Sequence, residues 1–217
     1  MPQPGRAAGH ASAAAGRARS YHHGDLQRTL LEATEAILAE RGVEGFTLRE
    51  AARRVGVTPA APAHHFGSTA GLLTEVALLG FQELKRYLAE SGAAAGASAA
   101  ERICAMGLGY VRFALAYPAR FQLMFRKERL QLNDERLRAA GDAAYAELER
   151  VVRDYMGLAG DVPLDAATQA LMLGAWSTVH GFAHLALDGR FDALVGADGL
   201  EAFVRRTLPA IMRRQWP

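Results

Sequence analysis

The 217-residue chain is half hydrophobic and carries a formal net charge of +2, which excludes a disordered polyelectrolyte and leaves room for one large domain or two small ones. Cys104 is the only cysteine, so the chain can form neither an internal disulfide nor a cysteine-rich zinc site, and its apolar helical setting reads as a buried structural thiol. Apart from Lys85 and Lys127 the basic residues are all arginine, whose planar fork suits phosphate.

Residues 1–20 mix Ala, Gly, Pro, Ser and Arg without periodic large apolar residues, which predicts a basic tail. That tail reads either as a solvated extension or as an arm reaching DNA phosphates or the minor groove. It lacks the apolar centre of a secretory signal, and no apolar run reaches the roughly 18 residues that span a bilayer. A cytoplasmic protein with no membrane partner is expected.

From Asp25, a plausible N-cap, Leu26, Leu30, Ala33, Ile37 and Leu38 recur at helical spacing until Gly42 supplies a left-handed stop. Thr47-Leu48-Arg49-Glu50 is a capping box, opening a helix that buries Leu48, Ala51, Ala52 and Val55 and ends at Gly56. Thr58-Pro59 opens a third helix, with Thr58 as cap and Pro59 at the first helical position; Pro62 must then lie in or near the first turn. Ser68 or Thr69 begins a fourth, running to about Ser91, with Leu72, Leu73, Val76, Leu79 and Leu84 as packing residues.

The Ala/Gly segment Gly92–Ala97 marks a break. Further helices are predicted from Ser98 to Ala116, from Tyr117-Pro118, from about Asn133 to Met156, from Leu164 to Leu187, and from about Asp198 to Arg214, with a loop over Asp188–Ala197. No strand is indicated. The architecture expected is all-α: a basic tail (1–20), a three-helix unit with a connecting helix (21–91), and a larger helical bundle (92–217).

Two short helices around a Gly-containing turn, between Phe46 and Phe66, fit a helix-turn-helix. The second offers a face of small residues (Ala60, Ala61, Ala63) and two polar rings (His64, His65), a surface that a major groove admits closely. The stretches Tyr21-His22-His23-Gly24-Asp25-Leu26, Leu38-Ala39-Glu40-Arg41-Gly42, Phe46 to Val57, Ala60-Ala61-Pro62 and His65-Phe66 together resemble the DNA-binding domain of the tetracycline-repressor (TetR) family over residues 21 to 82. Trp176-Ser177-Thr178-Val179-His180-Gly181, followed by Leu185 to Arg190, is similar to the Trp…His-Gly element of one branch of that family's regulatory domains.

The resemblance implies a homodimer, joined through its last two helices, that binds a roughly palindromic DNA operator with half-sites about 34–36 Å apart. It implies a repressor released by a small molecule held in the C-terminal bundle. By the same resemblance Thr47 and Thr58 present helix N-termini to phosphate, Pro59, Ala60 and Ala61 face base edges, and His65 binds phosphate. The sequence departs from the family at two positions: Ala63 replaces a tyrosine, and Thr69 a lysine, both phosphate anchors. Weaker or more salt-sensitive operator binding is expected unless the tail, Arg49, Arg53 or His64 compensates, and a protein of the same fold without operator binding remains the alternative.

In the bundle, Met106, Tyr110, Phe113, Phe121, Met124, Phe125, Tyr145, Met172, Trp176 and Phe182 are core candidates one by one and pocket candidates as a group. Trp176 and His180, four apart on one helix face, could hold a ligand or bond to another helix. Few cations accompany them, so a neutral or hydrophobic effector is expected. Gly174, Ala175, Gly181 and Ala186 with Phe203, Leu208 and Ile211 are the expected dimer contacts. No phosphate loop, paired metal-ligand histidines or nucleophile elbow is present, so neither an enzyme nor a cofactor or metal is expected.

Overall fold

The computed structural model describes residues 23–216 apart from 161, with side chains from Leu26 onward. The expected basic tail lies outside the described residues. Nine α-helices and no strand are found among those described: α1 (His23–Arg41), α2 (Leu48–Val55), α3 (Ala60–Phe66), α4 (Thr69–Ala93), α5 (Ala99–Ala116), α6 (Pro118–Met124), α7 (Glu135–Met156), α8 (Ala166–Leu187) and α9 (Gly199–Gln215). A 3-10 turn, Lys127–Arg129, links α6 to α7.

Local chemistry explains most boundaries. Gly42, Gly56 and Gly157 close α1, α2 and α7 in the left-handed region that other residues avoid. Ser68 caps α4 by accepting the Gly71 N–H at 3.1 Å, and Asp134 and Asp165 cap α7 and α8 in the same way. The expected Asp25 cap is corrected, because α1 already begins at His23. Thr58 is corrected too: Pro59 takes helical dihedrals without a side-chain cap bond, and the turn closes on the Thr58 carbonyl, which accepts the Ala61 N–H at 3.0 Å. Pro62 lies in the first turn, buried.

Leu30, Ile37 and Leu38 of α1 pack with Ala51 of α2 and with Leu72, Leu73 and Val76 of α4 in the head. Thr34 is fully buried there because its hydroxyl donates to the Leu30 carbonyl at 2.7 Å, so burial leaves no polar group unmatched. The body is a bundle in which α4 lies against α5, α6 and α7, while α8 and α9 pack across α5. α4 therefore belongs to both halves: its first turns hold α3, and its later turns face the bundle.

Two glycines make these junctions possible. A Cβ on Gly71 would fall 1.9 Å from the Phe66 carbonyl oxygen, so α3 can approach α4 only with glycine there. A Cβ on Gly109 would meet the Tyr87 carbonyl oxygen at 2.8 Å, which fixes the close α4–α5 contact.

Candidate functional site

The helix-turn-helix is held from behind by charge. The Thr47 hydroxyl accepts the Glu50 N–H at 3.2 Å, one half of the expected capping box. The returning half is not made. The Glu50 carboxylate is taken instead by Nε and Nη2 of Arg53, each at 2.8 Å, by Arg54 Nε at 3.1 Å and by Arg41 at 3.5 Å. Charged donors outcompete a neutral amide for a carboxylate. The Arg53 and Arg54 hydrogen bonds hold the Glu50 carboxyl down at about 2. Arg54 also donates to Glu40 of α1 at 2.8 Å, so α1 and α2 are bolted together.

The front of this unit is open. Thr47, Arg49, Thr58, Pro59, Ala60, Ala63, His64 and Thr69 are exposed, while Ala61 and His65 are half-buried. Arg49 has no ion-pair partner among the described residues, whereas Arg53 is spent on Glu50. The exposed surface of α3 is thus small and polar, with no long side chain to hold it off a groove wall.

Four contacts carry the head onto the body. Arg120 of α6 reaches Glu35 of α1 at 2.7 Å while its guanidinium lies over the Tyr117 ring. Arg129 on the 3-10 turn pairs with Glu44, and Arg136 of α7 with Glu75 of α4. The Gln131 N–H donates to the buried Thr74 hydroxyl of α4 at 2.9 Å.

The body holds a cavity of about 360 Å³, open to solvent on one side and lined by α4, α5, α7, α8, the end of α6 and Met212 of α9. Of the residues expected to hold a ligand, Met106, Tyr110, Met124, Phe125, Tyr145 and Trp176 line it. Phe113, Met172 and His180 are not in its wall. Phe113 is fully buried between the Tyr87 and Tyr117 rings, and Met172 is fully buried on α8. His180 stands one layer back, its Nδ1 2.8 Å from the Tyr110 hydroxyl and its ring 4.6 Å from that of Phe125. Burial lowers the His180 pKa, helped by His184, and raises that of Tyr110. The Tyr110 hydroxyl and the imidazole share this hydrogen bond, which ties α8 to α5.

The cavity also gathers residues that the sequence reading did not assign to it. Phe81, Leu84 and Leu88 present one face of α4. Leu148 adds to the apolar wall, and Lys127 and Asp142 bring two charges to it. The three α4 residues carry the helical spacing of a buried face; nothing local marked Lys127 or Asp142. Cys104 is buried as expected, and desolvation pushes its thiol up.

The outer surface of α8 and α9 is unusually apolar. Leu173, Leu185 and Ile211 are exposed there, and a side chain at Gly174 or Gly181 would meet open space. Four expected interface residues are corrected: Ala175, Ala186, Phe203 and Leu208 turn inward and are buried within the chain. The expectation about apolar runs also changes, because α8 is long and apolar enough to cross a membrane by length and composition, with 33% of its apolar window buried.

A three-helix head with an exposed α3, joined by a shared α4 to a hollow bundle, defines a helix-turn-helix transcriptional regulator. Residues 30–76 match the bacterial regulatory proteins of the tetR family, and residues 103–211 match the tetracyclin repressor-like C-terminal domain. The chain belongs to the TetR family. It is similar to a solved protein of unknown function from Rhodococcus sp. RHA1, with 34% identity over 91% of this chain and 97% of that one and a TM-score of 0.73. It shares the fold of the TetR family transcriptional regulator PfmR from Thermus thermophilus (19% identity, 87% and 94% covered, TM-score 0.62). A tetR-family regulatory protein from Rhodococcus RHA1 is alike to a similar degree (16%, 88% and 96%, TM-score 0.65). No curated protein matches the chain.

Proposed function

We propose that this regulator is a cytoplasmic homodimeric repressor, without catalytic activity, that leaves a palindromic operator when a small, largely apolar molecule fills the body cavity. The head (21–91, including α4) binds DNA and the body (92–217) senses and dimerises. One observation carries the reading: α4 forms a wall of the cavity through Phe81, Leu84 and Leu88 and seats α3 at its other end through Gly71. A molecule that favours one placement of α4 over another then changes the affinity for DNA, and DNA changes the affinity for the molecule by the same factor.

The exposed Leu173, Leu185 and Ile211, with open space beside Gly174 and Gly181, support dimerisation through α8 and α9, where a partner's helices could approach closely. Thr47 and Thr58 would meet phosphate, and Ala60, Ala61 and Pro59 base edges, with Arg49 and His64 as the remaining polar groups on the open face. Lacking a cation at 69, the interface makes one phosphate contact fewer, which weakens binding and makes its salt dependence shallower rather than steeper.

Footprinting on DNA upstream of the protein's own gene, at moderate salt and with light scattering on the same sample, tests this. A dimer protecting a two-fold symmetric site is the expected result. A folded dimer that protects nothing would favour the second reading, a sensor of this fold without operator binding, which Ala63 and Thr69 keep in view.

A further inference from the structure

We propose that the effector is an apolar molecule carrying one acidic group, and that Lys127 is the residue that selects it by binding that group. The proposal rests on the reading of the cavity as the effector site. Its walls are rings, leucines and methionines, and only two charged side chains, Lys127 and Asp142, reach them. Neither forms an ion pair with any described residue, although their neighbours do: Arg126 pairs with Glu128, and Arg129 with Glu44. Nor do Lys127 and Asp142 pair with each other, so they present opposite charges to the cavity from two different elements, the 3-10 turn and α7.

A carboxylate at Lys127 gains a charge-assisted hydrogen bond at the exposed rim of an apolar space, while the rest of the molecule lies against the rings. Asp142 repels the same group from the α7 side and so fixes which way round the molecule sits. The position matters beyond affinity. Lys127 lies on the turn whose next residues grip the head, since its carbonyl accepts the Leu130 N–H at 3.3 Å, Arg129 pairs with Glu44, and Gln131 bonds Thr74. An acid held by Lys127 therefore loads the same short segment that joins body to head.

The test is calorimetric titration of the full-length protein with three probes of one shape: 4-butylbenzoate, 4-butylbenzyl alcohol and 4-butylbenzylamine. The benzoate is expected to bind about tenfold more tightly than the alcohol, as one charged hydrogen bond provides. Lys127→Gln, an exposed position that packing does not constrain, should bring the two within about twofold without weakening the alcohol. Asp142→Asn should tighten the benzoate. Equal binding of acid and alcohol, or a preference that survives Lys127→Gln, overturns the proposal but leaves the cavity reading standing. Preference for the amine that disappears in Asp142→Asn overturns it in favour of a cationic effector. Gly141→Met separates the two levels, because a Cβ there makes only ordinary contact with Phe81 and its side chain fills the cavity. Probes that bind this variant undiminished, or no binding by any probe to the unaltered protein, would sink the cavity reading and the proposal with it.

Discussion

In the head, a carboxylate shared among three arginines fixes α2 to α1; in the body, helices are joined by rings. Glu50 serves Arg41, Arg53 and Arg54 at the surface, whereas the buried Phe121 lies within 5.0–5.9 Å of Tyr110, Phe125, His180 and His184. The difference follows from what each half must leave free. A reading head needs its open face bare and its bracing behind, and surface charge supplies bracing without bulk. A sensing body needs an apolar space with stiff walls, and aromatic edges provide them. The head should consequently respond to acid and salt, and the body to loss of volume.

The largest effect is expected from Phe121→Ala, which removes a fully buried ring touching four others and should cost about 3–5 kcal/mol in urea unfolding. A loss below about 1 kcal/mol would show that the rings are not what joins the body. Next is Gly71→Ala, where the new methyl meets a carbonyl oxygen that cannot move aside; about 1–3 kcal/mol is expected, with operator affinity falling as α3 shifts. Unaltered stability and affinity would break the claim that this junction sets the position of α3.

Smaller still is the paired change Ala63→Tyr with Thr69→Lys. It should tighten DNA binding across many sequences and steepen the plot of log affinity against log salt by about 0.9 for the added cation. Unchanged or lower affinity would mean that the bare face is already sufficiently anchored. The smallest effect is the pH response of the α1–α2 brace. The Glu50 carboxyl is depressed to about 2 from 4.5, so its contribution is complete above pH 4.5 and fades as pH falls toward 2. Unfolding curves of the natural protein and of Glu50→Gln should converge across that interval; parallel curves would show that the arginines do not stabilise the ionised form.

Much of the head was legible because its signals are local. Gly42, Gly56 and Ser68 act within a few residues of themselves, and each stands where the sequence placed it. The capping boxes mark the limit of that logic. Thr47/Glu50 and Ser98/Glu101 have the same spacing, yet only the second closes fully. Glu50 has Arg53 and Arg54 at the positions that share its helix face, while Glu101 has Cys104 and Ala105 there, so only Glu50 is drawn away.

The cavity was half legible. Helical spacing told which side chains turn inward but not what they meet, so Met106, which lines the space, and Phe113, which is sealed between tyrosines, looked alike. Lys127 sits in a short turn without periodicity, and only the packing of α4, α6 and α7 around that turn brings it to the wall. The α8–α9 surface divides the same way: Ile211 faces out, while Phe203 and Leu208 on the same helix face in.

The 25-residue length of α4 sets a mechanical scale. Leu84, at the cavity wall, is 15 positions from Thr69, and at about 1.5 Å per residue the arm between them is roughly 22 Å. Because α1 and α2 are bolted together by Arg54 and α3 is wedged at Gly71, the arm ends in a stiff tool rather than a soft one. A tilt of about 5° at the cavity end then sweeps its tip by about 2 Å, enough to carry a donor out of the roughly 2.7–3.2 Å reach of a hydrogen bond. A small displacement at the chamber wall is therefore magnified at the end of α4 that seats α3.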